Sequence, residues 1–318
     1  MLYRLRRASR HWLARPDFAR ILATPPVHTV DDGTIILSQV QKRDLLMYLV
    51  AAKSFAYHAG FGRFHVLDDG SLTPQHHALL RKHIPGIVIS GLRDIAAGAG
   101  PAGGVFWERL ASVVKLAESQ YVIQLDSDTV TLGPIDDVKE CIRANRSFAL
   151  MAGRTAGIRP LAESSAVARR STSSHIQIAA EQRLDQLDPA IGTRYATATA
   201  AFAGFAPSRE RAARMARFSR AMEQILGTRW TEWGSDQVGS NFLIGNDPDA
   251  ILLPYLRYRN FGGDDLTADC AFVHFFGTYR YDRGIYRRIA RETAARINGR
   301  APRAVAWPQH GFASSAAE

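Results

Sequence analysis

Two carboxylates two residues apart, Asp126 and Asp128, follow an apolar run from Tyr121 to Leu125. The run reads as a buried strand. Side chains alternate along an extended backbone, so residues two apart face the same way. Both carboxylates can then meet one divalent cation at the carboxyl end of a strand, where open α/β sheets place their ligands. Mg²⁺ and Mn²⁺ take oxygen ligands and are shared between one or two protein carboxylates and substrate phosphates. The competing reading is a strand-ending turn, where Asp, Ser and Thr are common.

Four other stretches could carry chemistry. Asp68-Asp69-Gly70-Ser71 closes an earlier apolar run, and a carboxylate such as Asp69 could accept hydrogen bonds from a base or a ribose. A plain Asp-Gly turn fits the same residues. Arg109, in Trp107-Glu-Arg-Leu110, could offer a two-pronged fork to phosphate or to the metal-binding carboxylates. An arginine on a helix is otherwise a solvated surface residue. The segment Trp230 to Asn241 is denser in polar groups than a core helix needs. Within it Asp236 and Gln237 could position a hydroxyl or stabilise a developing cation. The structural alternative is a helix start capped by Ser235. Last, His274 ends the apolar run from Ala271, with Gly277 and Arg280 just beyond. Such a histidine is either a satisfied core residue or a ligand for Mn²⁺, and the glycine and arginine could cradle a phosphate.

The elements that must position these groups alternate between strand and helix. Strands are expected at 34–38, 63–67, 87–90 and 121–125, with helices at 44–57, 74–83 and 107–119 between them. That order argues for a parallel sheet with crossovers. Residues 91–104 are Gly/Ala-rich and read as a loop. From Leu161 to Ile191 the character changes to small, polar and basic, with a helix from about Ile176 to Leu187. This reads as an insertion or lid, a common seat of acceptor specificity. A strand at 197–205 and an arginine-rich helix at 210–226 follow. Asn241–Ile244, 251–254 and 271–276 are expected as short elements closing the sheet.

The chain has 318 residues, 46% hydrophobic and 22% charged, enough for a full core. Its apolar runs are too short for a membrane span. Cys141 and Cys270 are too few for a disulfide framework and lack metal-site spacing, so a reducing, cytoplasmic setting is expected. The net charge is +10, and residues 1–20 carry six arginines against the single acid Asp17. Leu2, Leu5, Trp12 and Leu13 could form one face of a basic amphipathic helix lying on the inner face of an anionic membrane. The alternative is a helix packed on the protein body. The remaining positive charge suits a polyanionic ligand, a nucleoside diphosphate or a nucleic acid.

With these residues in view, the chain resembles a GT-A-fold glycosyltransferase. It is most similar to family 8, the group of glycogenin and bacterial lipooligosaccharide galactosyltransferases. Four features match in order over residues 34–282: Val50-Ala-Ala-Lys-Ser54 with Phe64-His-Val-Leu67; Arg109-Leu110 ahead of Leu125-Asp-Ser-Asp128; Asp236-Gln237 with Asn241; and His274-Phe-Phe-Gly277-Thr-Tyr-Arg280. The resemblance implies that Asp126, Asp128 and His274 hold Mn²⁺ (or Mg²⁺) on a nucleotide-sugar diphosphate. It implies diphosphate contacts from Gly277 and Arg280 and a donor-sugar wall from Asp236 and Gln237. Arg109, Asn241 and Asp69 complete the expected donor-binding set.

Three positions depart from the family pattern. Arg280 stands where lysine is usual. Gln39-Val-Gln-Lys-Arg43 replaces the acidic turn that reads uracil, while Asp68-Asp69-Gly-Ser resembles the uracil-contacting turn of inverting family 2 enzymes. Thr199-Ala-Ala201 is a degenerate form of the usual Asn-x-Gly strand.

The fold expected is α/β, a single Rossmann-like mixed sheet flanked by helices. Residues 1–30 would be a basic extension, 31–292 the GT-A domain with its insertion at 161–191, and 293–318 a tail. The reaction implied moves a hexose from a nucleoside-diphosphate sugar, UDP before others, to a hydroxyl of a glycan or glycolipid, with retention. A nucleotidyltransferase acting on a sugar phosphate shares the metal-carboxylate logic, but Gln39–Arg43 lacks the glycines such enzymes carry. A nucleic-acid-binding protein without catalysis would use the positive charge, but no motif with interleaved aromatics accompanies it.

Overall fold

The strand β1 (Val30–Val40) runs through the middle of the molecule, buried along its second half. Ile36 and Val40 face one hydrophobic cluster while Ile35 and Leu37 face another, as alternation requires of a strand covered on both sides. The computed structural model describes residues 14–95, 107–264, 266–277 and 279–299. The membrane-facing residues expected of the leader, Leu2, Leu5, Trp12 and Leu13, lie outside the described residues, as does the tail from residue 300.

After β1 the chain forms α1 (Leu45–Ala59), β2 (Phe61–Asp68), α2 (Pro74–His83), β3 (Val88–Gly91), α3 (Glu108–Leu116) and β4 (Val122–Leu125). Next come β5 (Thr129–Thr131), α4 (Asp136–Arg143), β6 (Phe148–Met151), β7 (Ile158–Pro160), α5 (Leu161–Ala168) and α6 (Ile176–Glu181). Then follow β8 (Arg194–Ala196), β9 (Ala198–Phe205), α7 (Arg211–Leu226), α8 (Ser235–Gly245), β10 (Ile251–Leu252), β11 (Tyr258–Asn260), β12 (Phe272–His274) and α9 (Ile285–Ile297).

Among the described residues, seven strands form the main sheet in the order β10-β6-β9-β4-β1-β2-β3. The strands β4, β1, β2 and β3 are parallel, and β9 lies antiparallel between β4 and β6. The expected mixed sheet is therefore present, and two small sheets, β11-β12-β5 and β7-β8, accompany it. Their placement matters for the site. The chain leaves the main sheet after Leu125 and enters the second sheet at Thr129, so Asp126-Ser127-Asp128 is the crossing between them.

Local chemistry explains the boundaries that could be read. Thr73 and His76 form a reciprocal cap, and Pro74 opens α2 where its missing N–H costs nothing. Three expectations change. Asn241–Ile244, expected as a sheet-closing element, is the interior of α8, because Val238, Phe242 and Leu243 recur at helical spacing and are all buried. Ala271–Phe276 yields only β12, and it pairs with β5 and β11 in the second sheet rather than closing the main one. The helix expected to reach Leu187 stops at Glu181, followed by a tight turn at Leu184–Gln186.

The described end of the leader packs on the body. Ala14, Phe18 and Ile21 are buried, and Phe18 meets the Tyr286 ring edge-on at 4.6 Å. Asp17 accepts from Arg287 Nε at 2.6 Å and Arg291 Nη1 at 3.1 Å, which ties the segment to α9. No helix among the described residues is long and apolar enough to cross a membrane.

Candidate active site

Backbone pairing brings the acidic turn and the late histidine together. In the second sheet Thr129 lies opposite His274, and Asn260 lies beside His274 on the other flank. Phe275 N donates to Asp128 O at 2.8 Å, and Thr129 Oγ1 donates to Asp126 O at 2.8 Å, fixing the turn from both ends. One ligand atom each from Asp126, Asp128 and His274 lie within 4.8 Å of one another.

The histidine's protonation pattern follows from its neighbours. Asn260 Nδ2 donates to the carbonyls of Met151, at 3.0 Å, and Ala152, at 3.3 Å, so its Oδ1 is the atom turned to the ring. His274 Nδ1 meets that oxygen at 2.8 Å and therefore carries the proton. In the neutral ring this leaves Nε2 as a lone pair 3.5 Å from Asp128 Oδ1. Two acceptor atoms this close call for a cation or a proton between them. Two carboxylates and one such imidazole, oriented from behind by an amide, are a donor set that fits Mn²⁺ or a similar divalent ion.

Both carboxylates also meet arginines. Arg109 Nη1 donates to Asp126 Oδ1 at 2.6 Å, and its Nη2 lies 3.6 Å from Asp236 Oδ2. Arg280 Nη2 donates to Asp128 Oδ2, and its Nε donates to Phe275 O at 3.1 Å. The environments then diverge. Burial pushes Asp126 above the usual carboxylate range, with Asp128 adding to it, despite Arg109. Burial acts on Asp128 too, but Arg280 overcomes it and holds that carboxyl well below the usual range. Asp236 is raised, chiefly by burial, against the pull of Arg109.

The remaining predicted residues fall in three places. Asp236, Gln237 and Asn241 share α8, which is preceded at its N-cap by Gly234 in a left-handed conformation (φ 104°). Ser235 is not the cap; its Oγ accepts from Trp107 Nε1 at 2.9 Å. Gln237 and Asn241 turn toward β9, and Asn241 is buried with both its side-chain atoms bonded to protein: Oδ1 accepts from Gln237, while Nδ2 donates to Tyr195 and to Ala198 O. Gly277 sits exposed at the rim with φ 55°, and Thr278 lies outside the described residues. Asp69 lies at the end of β2, on the same sheet edge as Asp126 but across β1. Its Oδ1 accepts from Ser71 N at 3.0 Å. Its neighbour Asp68 is the structural member of that turn, accepting from Gly70 N at 2.8 Å and meeting His77 Nε2 at 2.8 Å.

Three contributors escaped the sequence reading. Asn260 becomes visible only through strand register. Glu181 sits in the stretch read as an insertion and Tyr195 just beyond it, and nothing in their spacing points to α8. A fourth, Gln124, had a signal: it is a polar residue inside a strand buried on both faces. Its Nε2 donates to Ala200 O.

No protein-family model matches the sequence, and no curated protein matches it. Solved structures do. The bifunctional glycosyltransferase WbbM aligns over 86% of this chain and 52% of its own, with 13% identity and a TM-score of 0.50. The glycosyltransferase GlyE of Streptococcus pneumoniae TIGR4 aligns over 86% of this chain and 63% of its own, with 12% identity and a TM-score of 0.51. The galactosyltransferase LgtC, solved with donor and acceptor sugar analogs, aligns over 86% of this chain and 98% of its own at 16% identity and a TM-score of 0.44. The chain thus spans about half the length of WbbM. The likeness to WbbM and GlyE identifies the fold as GT-A.

Proposed function

We propose that this protein is a metal-dependent glycosyltransferase that moves a hexose from a nucleoside-diphosphate sugar, UDP before other bases, to a hydroxyl of a glycan or glycolipid. The observation that carries this reading is the convergence of Asp126, Asp128 and the Nε2 lone pair of His274 at the carboxyl edge of a parallel sheet. When bound there, Mn²⁺ would supply Lewis-acid stabilisation of a departing diphosphate.

The chain's own residues do the rest. Arg280 is bonded to the carboxylate that a cation would occupy, so a phosphate oxygen offers its guanidinium an alternative partner of the same charge. Gly277 at the rim gives a phosphate a close approach to backbone without a Cβ in the way. Arg109 bridges Asp126 to Asp236 and holds the metal side and the sugar side at a fixed separation. Asp236 and Gln237 would line the donor sugar and support positive charge developing at the anomeric carbon, consistent with retention. Asp69 would meet the base or ribose from across β1. Asn241 serves this wall from behind, through Gln237. A cytoplasmic, membrane-proximal setting suits a glycolipid acceptor, with residues 1–20 as the contact.

A thermal-shift panel of nucleotide sugars, with Mn²⁺ and with EDTA, tests the reading. One UDP-sugar should raise the melting temperature only when the metal is present; no metal-dependent shift with any nucleotide sugar would refute it.

A further inference from the structure

A chain of hydrogen bonds joins Gln237 to the segment 161–191, and every donor in it points toward the Glu181 carboxylate. Ala200 N donates to Gln237 Oε1 at 2.9 Å; Gln237 Nε2 donates to Asn241 Oδ1 at 2.9 Å. Asn241 Nδ2 donates to the Tyr195 hydroxyl at 3.1 Å, and that hydroxyl donates to Glu181 Oε1 at 2.8 Å. Gln177 Nε2 closes the far end on the same carboxylate oxygen at 3.1 Å. Asn241 and Tyr195 are each 1% exposed and Glu181 7%, so water does not stand in for a lost partner.

The direction of the chain is fixed at both ends. A backbone N–H, which can only donate, starts it at Ala200. A carboxylate, which accepts, ends it at Glu181. Burial and the Glu181 charge hold the Tyr195 hydroxyl well above its usual range, so it keeps its proton. A side branch confirms the polarity: Ala198 O accepts from both Gln237, at 3.3 Å, and Asn241, at 3.0 Å. Neither amide can flip without setting donor against donor at Ala200 and acceptor against acceptor at Ala198.

The place it acts on is unusual. The pairing of β9 with β6 jumps register between Ala149 and Leu150, so β9 bulges around Ala200. The two backbone groups of Ala200 are taken instead by glutamines, its N–H by Gln237 and its carbonyl by Gln124 of β4. The next residue accepts from Asp126 N at 2.8 Å. The chain therefore ends against the backbone that carries the acidic turn.

We infer that Glu181 and Tyr195 are positioning residues: through Asn241 they set the amide orientation of Gln237 in the donor-sugar wall and couple segment 161–191 to it. This rests on the donor-wall role proposed above for Gln237. Segment 161–191 is accordingly more than a cover. Ser165 Oγ donates to Glu181 O at 3.0 Å, which anchors α6 on α5, and Leu161, Ala180 and Leu184 are buried in the second hydrophobic cluster.

Tyr195→Phe, Glu181→Leu and Glu181→Gln test it on the full chain, by two readouts. The first is the hydrogen exchange of the Gln237 and Asn241 side-chain amides by NMR. The second is steady-state transfer, with water as acceptor, from the UDP-sugar that stabilises the wild type. Tyr195→Phe and Glu181→Leu should accelerate amide exchange and lower kcat roughly tenfold or more at unchanged donor KM. Glu181→Gln keeps an acceptor oxygen for Tyr195 and should restore both readouts. Unchanged amide exchange in Tyr195→Phe overturns the inference. So does a kcat that stays at the wild-type value while exchange accelerates, or a Glu181→Gln as impaired as Glu181→Leu. If the wild type transfers no sugar, it is the glycosyltransferase reading that fails, and the amide signals still decide whether the chain orients Gln237.

Discussion

At the end of β4 three carboxylates are each held by an opposite charge: Asp126 by Arg109, Asp128 by Arg280, Asp236 by the second arm of Arg109. On the far side of α8 the groups are neutral from Gln237 through Asn241 to Tyr195, and each is held by a directed hydrogen bond until the chain reaches Glu181. Both regions solve the problem of keeping polar atoms out of water, but they respond differently to a ligand. An ion pair accepts any partner of the right sign, so a cation can replace Arg280 on Asp128 while a phosphate replaces Asp128 on Arg280. A directed chain has no such freedom; removing one member leaves a buried donor or acceptor unmet. The charged half is built to exchange partners and the neutral half to stay put.

The strongest way to break this contrast is at its charged end. Asp128→Ala removes a ligand and the partner of Arg280, and transfer should fall roughly a thousandfold, measured as sugar released with Mn²⁺ present. Activity within tenfold of wild type would place the cation elsewhere. Asn260→Leu attacks the same end indirectly. It frees the His274 ring to turn, and Mn²⁺ affinity, read by electron paramagnetic resonance of the free ion, should drop about 10–100-fold with the fold intact. Arg280→Ala sharpens the exchange idea, because the two half-effects have opposite signs. Mn²⁺ alone should bind several-fold tighter and UDP several-fold weaker than in the wild type. If both affinities fall together, Arg280 is not exchanging.

The smallest effect lies outside both regions and calibrates them. Burial, with Lys53 and Lys82 nearby, lowers His83 to about 4; burial and Arg296 lower His58 to about 4. The unfolded chain binds these protons near pH 6.5 and the folded protein does not. Stability is therefore complete above pH 6.5 and declines as pH falls toward 4. Asp128, held well below the usual range, stays charged across that window. The melting temperature should fall through it, and His83→Leu should flatten the slope, since His83 Nδ1 has no partner to lose. An unchanged slope in both His83→Leu and His58→Leu would shift the acid sensitivity to other groups.

The charged half was the legible half. Asp126-Ser-Asp128 ends an apolar run, and Thr73 with Pro74 marks a helix start by local chemistry alone, so neither needed a distant partner. His274 and Arg280 could be picked out by residue type and spacing. The neutral half was not legible in the same way. Asn260 acquires its role from lying beside His274 in the second sheet. Tyr195 and Glu181 acquire theirs from packing of α6 and β8 on α8, which no period in the sequence records. Asn241–Ile244 misled for a related reason: three apolar residues after an asparagine read alike as strand or helix until burial on all sides is known.

UDP binding measured by calorimetry tests the central claim most directly, in the wild type and in Asp128→Ala, each with Mn²⁺ and with EDTA. The account predicts tight binding in the wild type with Mn²⁺ and weak binding in the other three conditions. Equal UDP affinity in all four would contradict it, because the nucleotide would then be held without the cluster of Asp126, Asp128 and His274.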